Sequence, residues 1–238
     1  MPVRKSANKT VDPRVEQTRR SIVWGFTAVV ALSFGIGLLY VLGVFDRTPA
    51  LGSDYSIIAG SQVPAPTAPL QVVEFFSYGC VHCNDFDPQI EAWRQSLPAG
   101  VQFERSPVSF GSLQYTLFAR AYFGLLALGQ LEQQHARLFA AVHRSGRVFS
   151  DTTQLAEFLA GSGADQTTIR RTLDSPRISE RVAAAASLEQ RFGVQAIPTL
   201  VIAERYRIDV GTVGRAQALR LATRLIQDIR TGKARAAK

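Results

Sequence analysis

The chain contains two cysteines, Cys80 and Cys83, which stand three positions apart in the segment SYGCVHCNDF. On a helix this spacing brings both sulfurs within one turn, close enough to form a disulfide bond with each other. A two-residue spacer closes a very small loop, so the bond would remove little entropy from the unfolded chain. The pair is therefore better suited to reversible redox chemistry than to structural cross-linking, although a structural disulfide is one alternative.

Metal binding is the second alternative for the cysteine pair. A closed zinc site needs four ligands, and the whole chain offers two cysteines and three histidines. His135 and His143 lie far along the chain on predicted helices, and His135 falls on an apolar stripe, where a packed histidine is more common than a ligand. A copper(I) site with two thiolates remains an alternative, and we otherwise expect no metal.

The residues around the pair indicate which sulfur reacts. The apolar run at 70–76 predicts a buried strand, and a helix is expected to begin at Cys80. Free backbone N–H groups and the positive end of the helix dipole favour an anion at that position, which lowers the pKa of a thiol. Cys80 is then the attacking nucleophile and Cys83, one turn deeper, the resolving thiol. His82 can add a positive charge or an N–H donor beside the thiolate. Stabilising only the reduced form makes the disulfide a better oxidant.

The predicted elements that position the pair alternate between strands and helices, which indicates an α/β fold with a helical insertion of about 75 residues. In chain order they are a strand at 70–76, a helix through Ile90 and Trp93, a strand at 101–110 that Pro107 breaks or ends, a block of helices between 112 and 192, two hairpin strands at 199–203 and 206–210, and a closing helix carrying Leu219, Ala222, Ile226 and Ile229.

The stretch at 21–45 has 25 residues without a charge, long enough as a helix to cross a hydrocarbon core of ~30 Å. Arg19 and Arg20 precede it, so the positive-inside bias places a basic tail at 1–20 in the cytoplasm and the rest of the chain outside. A cleaved signal peptide is the alternative, but its apolar region is usually shorter. Four prolines mark residues 46–69 as an extended linker.

The net charge of +8 does not point to nucleic acid. The first twenty residues hold six basic and two acidic residues, which leaves 21 basic and 17 acidic residues in the remainder, without long basic runs. A domain with so small an excess of positive charge is ordinary, and we expect no nucleic-acid partner.

The segment VVEFFSYGCVHCNDF resembles the active-site segment of the DsbA family, the thioredoxin-fold thiol oxidases of the bacterial periplasm. Glu74-Phe75-Phe76-Ser77 before the pair and a histidine before the second cysteine carry the resemblance, which extends over residues 70–230. It implies a thioredoxin-like fold interrupted by helices at about 111–186, with a short C-terminal tail at 231–238.

The resemblance also assigns roles to residues far from the pair. It implies that Ile197–Pro198 is a cis-proline loop beside the cysteines, where the Ile197 backbone can bind an extended substrate peptide; a trans proline that starts a strand is the alternative. Glu74 lies in an apolar strand, where a lone carboxylate is costly, and Arg105 occupies the position at which the family has a basic partner. The pair could relay the Cys83 proton, or it could be a structural ion pair.

The implied function is that of a dithiol oxidase without a cofactor beyond the Cys80–Cys83 disulfide. Its partners would be exported proteins with reduced cysteines, a membrane reoxidase of the quinone-linked DsbB type, and the lipid of the bacterial inner membrane. Val81 replaces the proline that the best-known member has between its two cysteines. Because this dipeptide tunes the stability of the thiolate, the resemblance does not define the redox potential. A reductase or isomerase of the same fold and a non-catalytic copper(I)-binding module are the alternative functions.

Overall fold

The computed structural model describes residues 24, 26–27, 29–34, 54–161 and 163–234. The chain divides into two units, Met1–Pro49 and Ala50–Lys238. In the first unit the described residues are helical. Among the described residues, no helix has the length and apolar character needed to cross a membrane. The predicted tail at 1–20 and most of the predicted anchor at 21–45 lie outside the described residues.

The second unit contains, in its described part, one sheet and eight helices. The strands are β1 (Ser56–Ile57), β2 (Leu70–Phe76), β3 (Val101–Pro107), β4 (Thr199–Ile202) and β5 (Tyr206–Asp209); the helices are α1 (Val81–Gln95), α2 (Leu113–Ala127), α3 (Leu131–His143), α4 (Thr152–Leu159), α5 (Gln166–Leu173), α6 (Pro176–Arg191), α7 (Val210–Val213) and α8 (Arg215–Arg230).

The strands form a mixed sheet in the order β1-β5-β4-β2-β3. The central strand β2 runs parallel to β3 and antiparallel to β4. This register sets Glu74 directly opposite Arg105 on neighbouring strands, so both side chains lie on the same face of the sheet. The strand β3 ends at Pro107, within the run at 101–110 for which the sequence predicts a strand.

The two faces of β2 are buried in different cores because alternate side chains point to opposite faces. Leu70 and Val72 pack with apolar side chains of α1 and α8. Val73 and Phe75 pack on the other face, where Phe192, just after α6, joins them. The sheet is therefore covered on both sides. The C-terminal end of β2 leads, through a short turn, to the start of α1.

The helices between β3 and β4 build a third core, as the predicted helical insertion requires. Both cysteines are part of this core, together with Phe76 and Tyr78. The cysteine pair thus lies where the helical subdomain meets the sheet. The predicted end of the insertion, at 186, falls within α6, which continues to Arg191 and contacts both α2 and β3.

The segment before β2 differs from the extended linker that the sequence predicts. Ser56–Ile57 adds a strand to the edge of the sheet by pairing with β5. The rings of Tyr55 and Tyr206 meet edge to face at 5.3 Å between centroids, and the buried Arg205 donates to the Ser61 carbonyl at 2.8 Å. A two-residue strand is too short to show an alternating pattern, so the proline content dominates the sequence signal.

Candidate active site

Cys80 is the N-cap residue of α1, with extended backbone angles of φ −95° and ψ 116°. Its Sγ accepts a hydrogen bond from the backbone N–H of Cys83 at 3.2 Å, as a serine oxygen does at an N-cap. The preceding Gly79 allows close packing, because a Cβ there would lie 3.0 Å from the Tyr115 ring and 3.1 Å from the Phe118 ring, and these rings would have to shift. The turn before α1 therefore packs closely against α2 of the helical subdomain.

The two sulfurs differ in their access to solvent. Both cysteines are reduced in this structure; Cys80 is 8% exposed, whereas Cys83 is completely buried. Val81 and His82, between them, are exposed. A thiolate that arrives from solvent can therefore reach Cys80, whereas Cys83 is accessible only from inside the protein.

The thiol pKa values are shifted in opposite directions. A hydrogen bond from the Cys83 side chain is the largest influence on Cys80; burial opposes it, the backbone N–H groups of Cys83 and His82 add to it, and the pKa of Cys80 falls to about 7. Burial raises the pKa of Cys83 far above its usual value, and the hydrogen bond to Cys80 adds to the effect. At neutral pH the accessible sulfur is thus the one that ionises.

The structure refines how each neighbouring residue affects Cys80. The sequence predicts that the amide groups of the helix start lower the pKa of Cys80, but in the structure the Cys83 thiol lowers it more. His82 acts through its backbone N–H, and its ring lies at the exposed surface. Val81 occupies the first position of α1 and is 52% exposed.

The segment before β4 lies against the cysteine pair. The Ile197–Pro198 peptide bond is cis. The Cys80 thiol donates to the Ile197 carbonyl oxygen at 3.7 Å between sulfur and oxygen. The structure therefore brings together Cys80 and Ile197, which are 117 positions apart in the chain.

Below the pair, the Glu74 carboxyl and the Arg105 guanidinium form a buried ion pair. Arg105 Nε donates to Glu74 Oε2 at 2.8 Å, and the Glu74 side chain is 2% exposed. Burial raises the pKa of Glu74 to about 7, although Arg105 lowers it in part. This carboxyl therefore exchanges its proton near neutral pH, and its charge raises the pKa of both cysteines.

Arg105 also binds two carboxylates of α1. Its Nη2 lies 3.1 Å from Asp87 Oδ1 and 2.6 Å from Glu91 Oε1. Burial by itself would lower the pKa of Arg105, but the three carboxylates raise it above its usual value. One guanidinium is thus shared by Glu74, Asp87 and Glu91.

The chain of polar contacts continues into the helical subdomain. His135 Nε2 lies 3.0 Å from Asp87 Oδ1, and its Nδ1 lies 2.7 Å from the hydroxyl of Tyr78. His143, two turns further along α3, lies 2.8 Å from the Tyr78 carbonyl oxygen through its Nε2. His135 is therefore a buried, hydrogen-bonded histidine, as its place on an apolar stripe indicates.

Sequence reasoning does not identify Tyr78, Asp87, Glu91 and His135 as parts of the site. A usable signal exists for two of them, because Asp87 and Glu91 follow Cys83 at intervals of four residues and so share its helix face. No local pattern connects His135 to either of its partners. Within the described part of the chain, no group of three or more His, Cys, Asp or Glu side chains is placed to hold a metal ion.

Comparison with known proteins matches residues 71–224 to the family described as DSBA-like thioredoxin domain. The chain is 31% identical to the thiol:disulfide interchange protein DsbA of Azotobacter vinelandii over 184 residues, which cover 77% of this chain and 86% of that protein. Its identity to the DsbA of Pseudomonas aeruginosa strain PAO1 is 32% over 177 residues, 74% of this chain and 83% of that protein.

Solved structures show the same similarity. The crystal structure of Pseudomonas aeruginosa DsbA superposes with a TM-score of 0.70 at 31% identity, covering 76% of this chain and 94% of that one. The crystal structure of the oxidoreductase DsbA from Xylella fastidiosa superposes with a TM-score of 0.70 at 29% identity, covering 78% of this chain and 100% of that one.

Proposed function

Because the chain belongs to the family of DSBA-like thioredoxin domains, we propose that it is a periplasmic thiol:disulfide oxidoreductase that donates its Cys80–Cys83 disulfide to exported proteins. The observation that carries this proposal is the asymmetry of the pair. The accessible sulfur, on Cys80, has a pKa lowered to about 7, and the buried Cys83 sulfur has a raised pKa. A stabilised thiolate favours the reduced form and so favours donation of the disulfide.

The exchange proceeds in two steps. A substrate thiolate attacks Cys80 Sγ, a new sulfur–sulfur bond forms, and the Cys80–Cys83 bond breaks with its electron pair on Cys83. The second substrate thiolate then attacks its own sulfur in the mixed disulfide, and Cys80 leaves as a thiolate. The substrate loses two electrons, and the enzyme gains them. Cys80 is a good leaving group because its thiolate is stabilised.

The Glu74 carboxyl supplies the proton for the first step in this proposal. Cys83 leaves as an anion in a buried place where its pKa is raised, so it must be protonated. Glu74 has a pKa of about 7 and is buried beneath the pair, where Arg105 holds it in place. When the enzyme is reoxidised, the proton returns from Cys83 to Glu74. A pair that serves stability alone would leave the rate of exchange unchanged when Glu74 is replaced.

Substrate peptides are proposed to bind along the Ile197 backbone. The contact between Cys80 Sγ and the Ile197 carbonyl places this backbone next to the reacting sulfur. An extended peptide that pairs with it brings its cysteine to Cys80 without contributing a particular side chain, which suits an enzyme with many substrates.

We further propose that residues 21–45 form an uncleaved single-pass anchor in the bacterial inner membrane, with residues 1–20 in the cytoplasm. The uncharged stretch and the preceding Arg19 and Arg20 support this arrangement. It would keep the enzyme beside newly exported chains and beside a quinone-linked membrane reoxidase of the DsbB type. Alkaline extraction of membranes tests the anchor, because an anchored protein stays in the pellet and a cleaved one is released.

The redox form of the pair inside cells tests the function. Acid quenching followed by a thiol-specific reagent of high mass separates oxidised from reduced protein on a gel, and the variant with both cysteines replaced by serine marks the unreacted position. We expect the wild-type protein to be found oxidised, as a disulfide donor must be. Protein found reduced would identify a reductase or isomerase and would contradict the proposal.

A further inference from the structure

One positive charge, on Arg105, faces three carboxyl groups, those of Glu74, Asp87 and Glu91. Glu91 has a second cation, since Arg94 Nε lies 2.6 Å from its Oε2. Glu74 and Asp87 are left to share the charge of Arg105. Two buried carboxylates beside one cation do not both ionise easily, so one of them is expected to hold a proton near neutral pH.

One oxygen of Asp87 lies between two groups that can donate to it. Its Oδ1 accepts from Arg105 Nη2 at 3.1 Å and faces His135 Nε2 at 3.0 Å. Hydrogen bonds to the charged form favour that form. Glu74 is more deeply buried than Asp87, with side chains 2% and 12% exposed, and burial favours its neutral form.

The tautomer of His135 follows from the charge of Asp87. Because the carboxylate of Asp87 can only accept, the ring nitrogen that faces it, Nε2, carries the hydrogen. Nδ1 then accepts from the hydroxyl of Tyr78 at 2.7 Å. Burial lowers the pKa of His135, which agrees with a neutral ring that donates at one nitrogen and accepts at the other.

We propose that His135 is a positioning residue for disulfide exchange: by donating to Asp87 it keeps that carboxyl ionised, so that the mobile proton is held by Glu74, beneath the cysteines. This inference rests on the proposed function, because it explains why Glu74 and not Asp87 exchanges the proton with Cys83. It assigns a part in the chemistry to the helical subdomain, since α3 supplies the histidine.

The charged and titratable groups that face Glu74 come from every element packed around it. They are Arg105 from β3, Cys83, Asp87 and Glu91 from α1, Tyr122 from α2, and Cys80 and Tyr78 from the turn before α1. His135 from α3 faces three of the same charged groups, those of Asp87, Glu91 and Arg105. Among these residues, His135 is the one that contacts Asp87 and can donate or accept a proton at either of two nitrogens, so replacing it changes the balance between the two carboxyls.

The test compares His135→Leu with His135→Gln in the purified, reduced protein. Leucine fills similar space without a donor, whereas glutamine retains an N–H group that reaches towards Asp87. The ultraviolet absorbance of the Cys80 thiolate is followed against pH. With leucine the proton moves to Asp87, the Glu74 charge returns beside the sulfurs, and the Cys80 acid dissociation constant should fall roughly threefold. With glutamine it should stay close to wild type.

The same two variants in an Asp87→Asn background test whether His135 acts through Asp87. If His135 acts through Asp87, His135→Leu should change nothing further there, because coupled residues are not additive. An unchanged midpoint for His135→Leu in the wild-type background, or an equal shift in both backgrounds, would overturn the proposal. A wild-type Cys80 that titrates at the usual pKa of a free cysteine, ~8.5, would instead refute the proposed function, before any histidine variant is measured.

A measurement on the wild-type protein covers the case in which the leucine variant does not fold. Nitrogen-15 spectra of labelled His135 should show a neutral ring with its hydrogen on Nε2 from about pH 5 to about pH 8. A hydrogen on Nδ1, or a charged ring in the lower half of this range, would contradict the proposed donation to Asp87.

Discussion

The backbone N–H of Cys83 donates to the Sγ of Cys80 across 3.2 Å, so the residue that would resolve the mixed disulfide also stabilises the thiolate of the residue that would form it. The side chain of Cys83 adds a second hydrogen bond, which is the largest single influence on the pKa of Cys80. This second bond exists only in the reduced protein, because a disulfide has no thiol hydrogen. The geometry thus stabilises the reduced form selectively.

Replacing Cys83 with serine should trap substrates. The serine variant keeps the backbone donor to Cys80, so its Cys80 thiolate can still attack a disulfide bond of an exported protein, form a bond to one sulfur and release the other as a thiolate. Without the Cys83 thiol the enzyme cannot release itself from this mixed disulfide, so mixed disulfides between Cys80 and exported proteins should accumulate. The matched variant, Cys80→Ser, should trap few, because its remaining thiol is completely buried. Non-reducing gels of cells that express each variant make the comparison, and equal trapping by both would contradict the assignment of the nucleophile.

Replacing His82 with alanine should leave the thiolate almost unaffected. The substitution removes the exposed ring but keeps the backbone N–H, through which His82 contributes to the low pKa of Cys80. We expect the pKa of Cys80 to shift by less than about 0.3 pH units. This is well below the standard deviation of ~1 unit found for side-chain pKa values in folded proteins. A rise of about one unit would show that the imidazole ring is the source of the effect.

Glu74 should make the oxidised protein less stable as the pH rises. Its pKa of about 7 in the folded state exceeds the value of ~4.3 expected when unfolded. The folded state therefore binds more protons between these limits, and the free energy of unfolding falls across this window, by on the order of 3 kcal/mol in total. Glu74→Gln should abolish this slope.

Urea unfolding of the wild-type protein and of Glu74→Gln at a series of pH values measures how the free energy of unfolding of each depends on pH. The oxidised form is used because neither thiol can titrate in it. A wild-type curve with no loss of stability between about pH 4.5 and about pH 7, or a Glu74→Gln variant with the same slope as wild type, would refute the buried, neutral state of this carboxyl.

Arg105→Gln should destabilise the protein in a pH-dependent manner. Three carboxyl groups lose their shared cation, and removing one partner of a buried pair costs about 3–5 kcal/mol. The loss should shrink at acidic pH as the carboxyl groups take up protons. The control is Arg94→Gln, whose side chain is 29% exposed and whose ion pairs should contribute less than about 1 kcal/mol.

The sequence predicts much of the fold because the relevant signals are local. The strand β2, the start of α1 at Cys80 and the hairpin of β4 and β5 follow from apolar patterns and turn residues. The edge strand β1 does not, since the pairing of Ser56–Ile57 depends on β5, about 150 positions away in the chain.

The site is predictable only in part for the same reason. Cys80 and Cys83 stand out by spacing, and Glu74 by its carboxyl in an apolar strand. The link from Asp87 through His135 to Tyr78 spans 48 and 57 positions of the chain. It depends on how α3 packs against α1, and periodicity along one helix carries no information on its partner in another.

The pKa of Cys80 tests the central claim most directly. The ultraviolet absorbance of the reduced protein, followed from acidic to alkaline pH with Cys80→Ser as the blank, reports how much of this thiol is ionised. The account predicts a single transition with a midpoint near pH 7. A midpoint at the usual value for a free cysteine, ~8.5, would show that neither the Cys83 thiol nor the helix start stabilises the thiolate and would contradict the account.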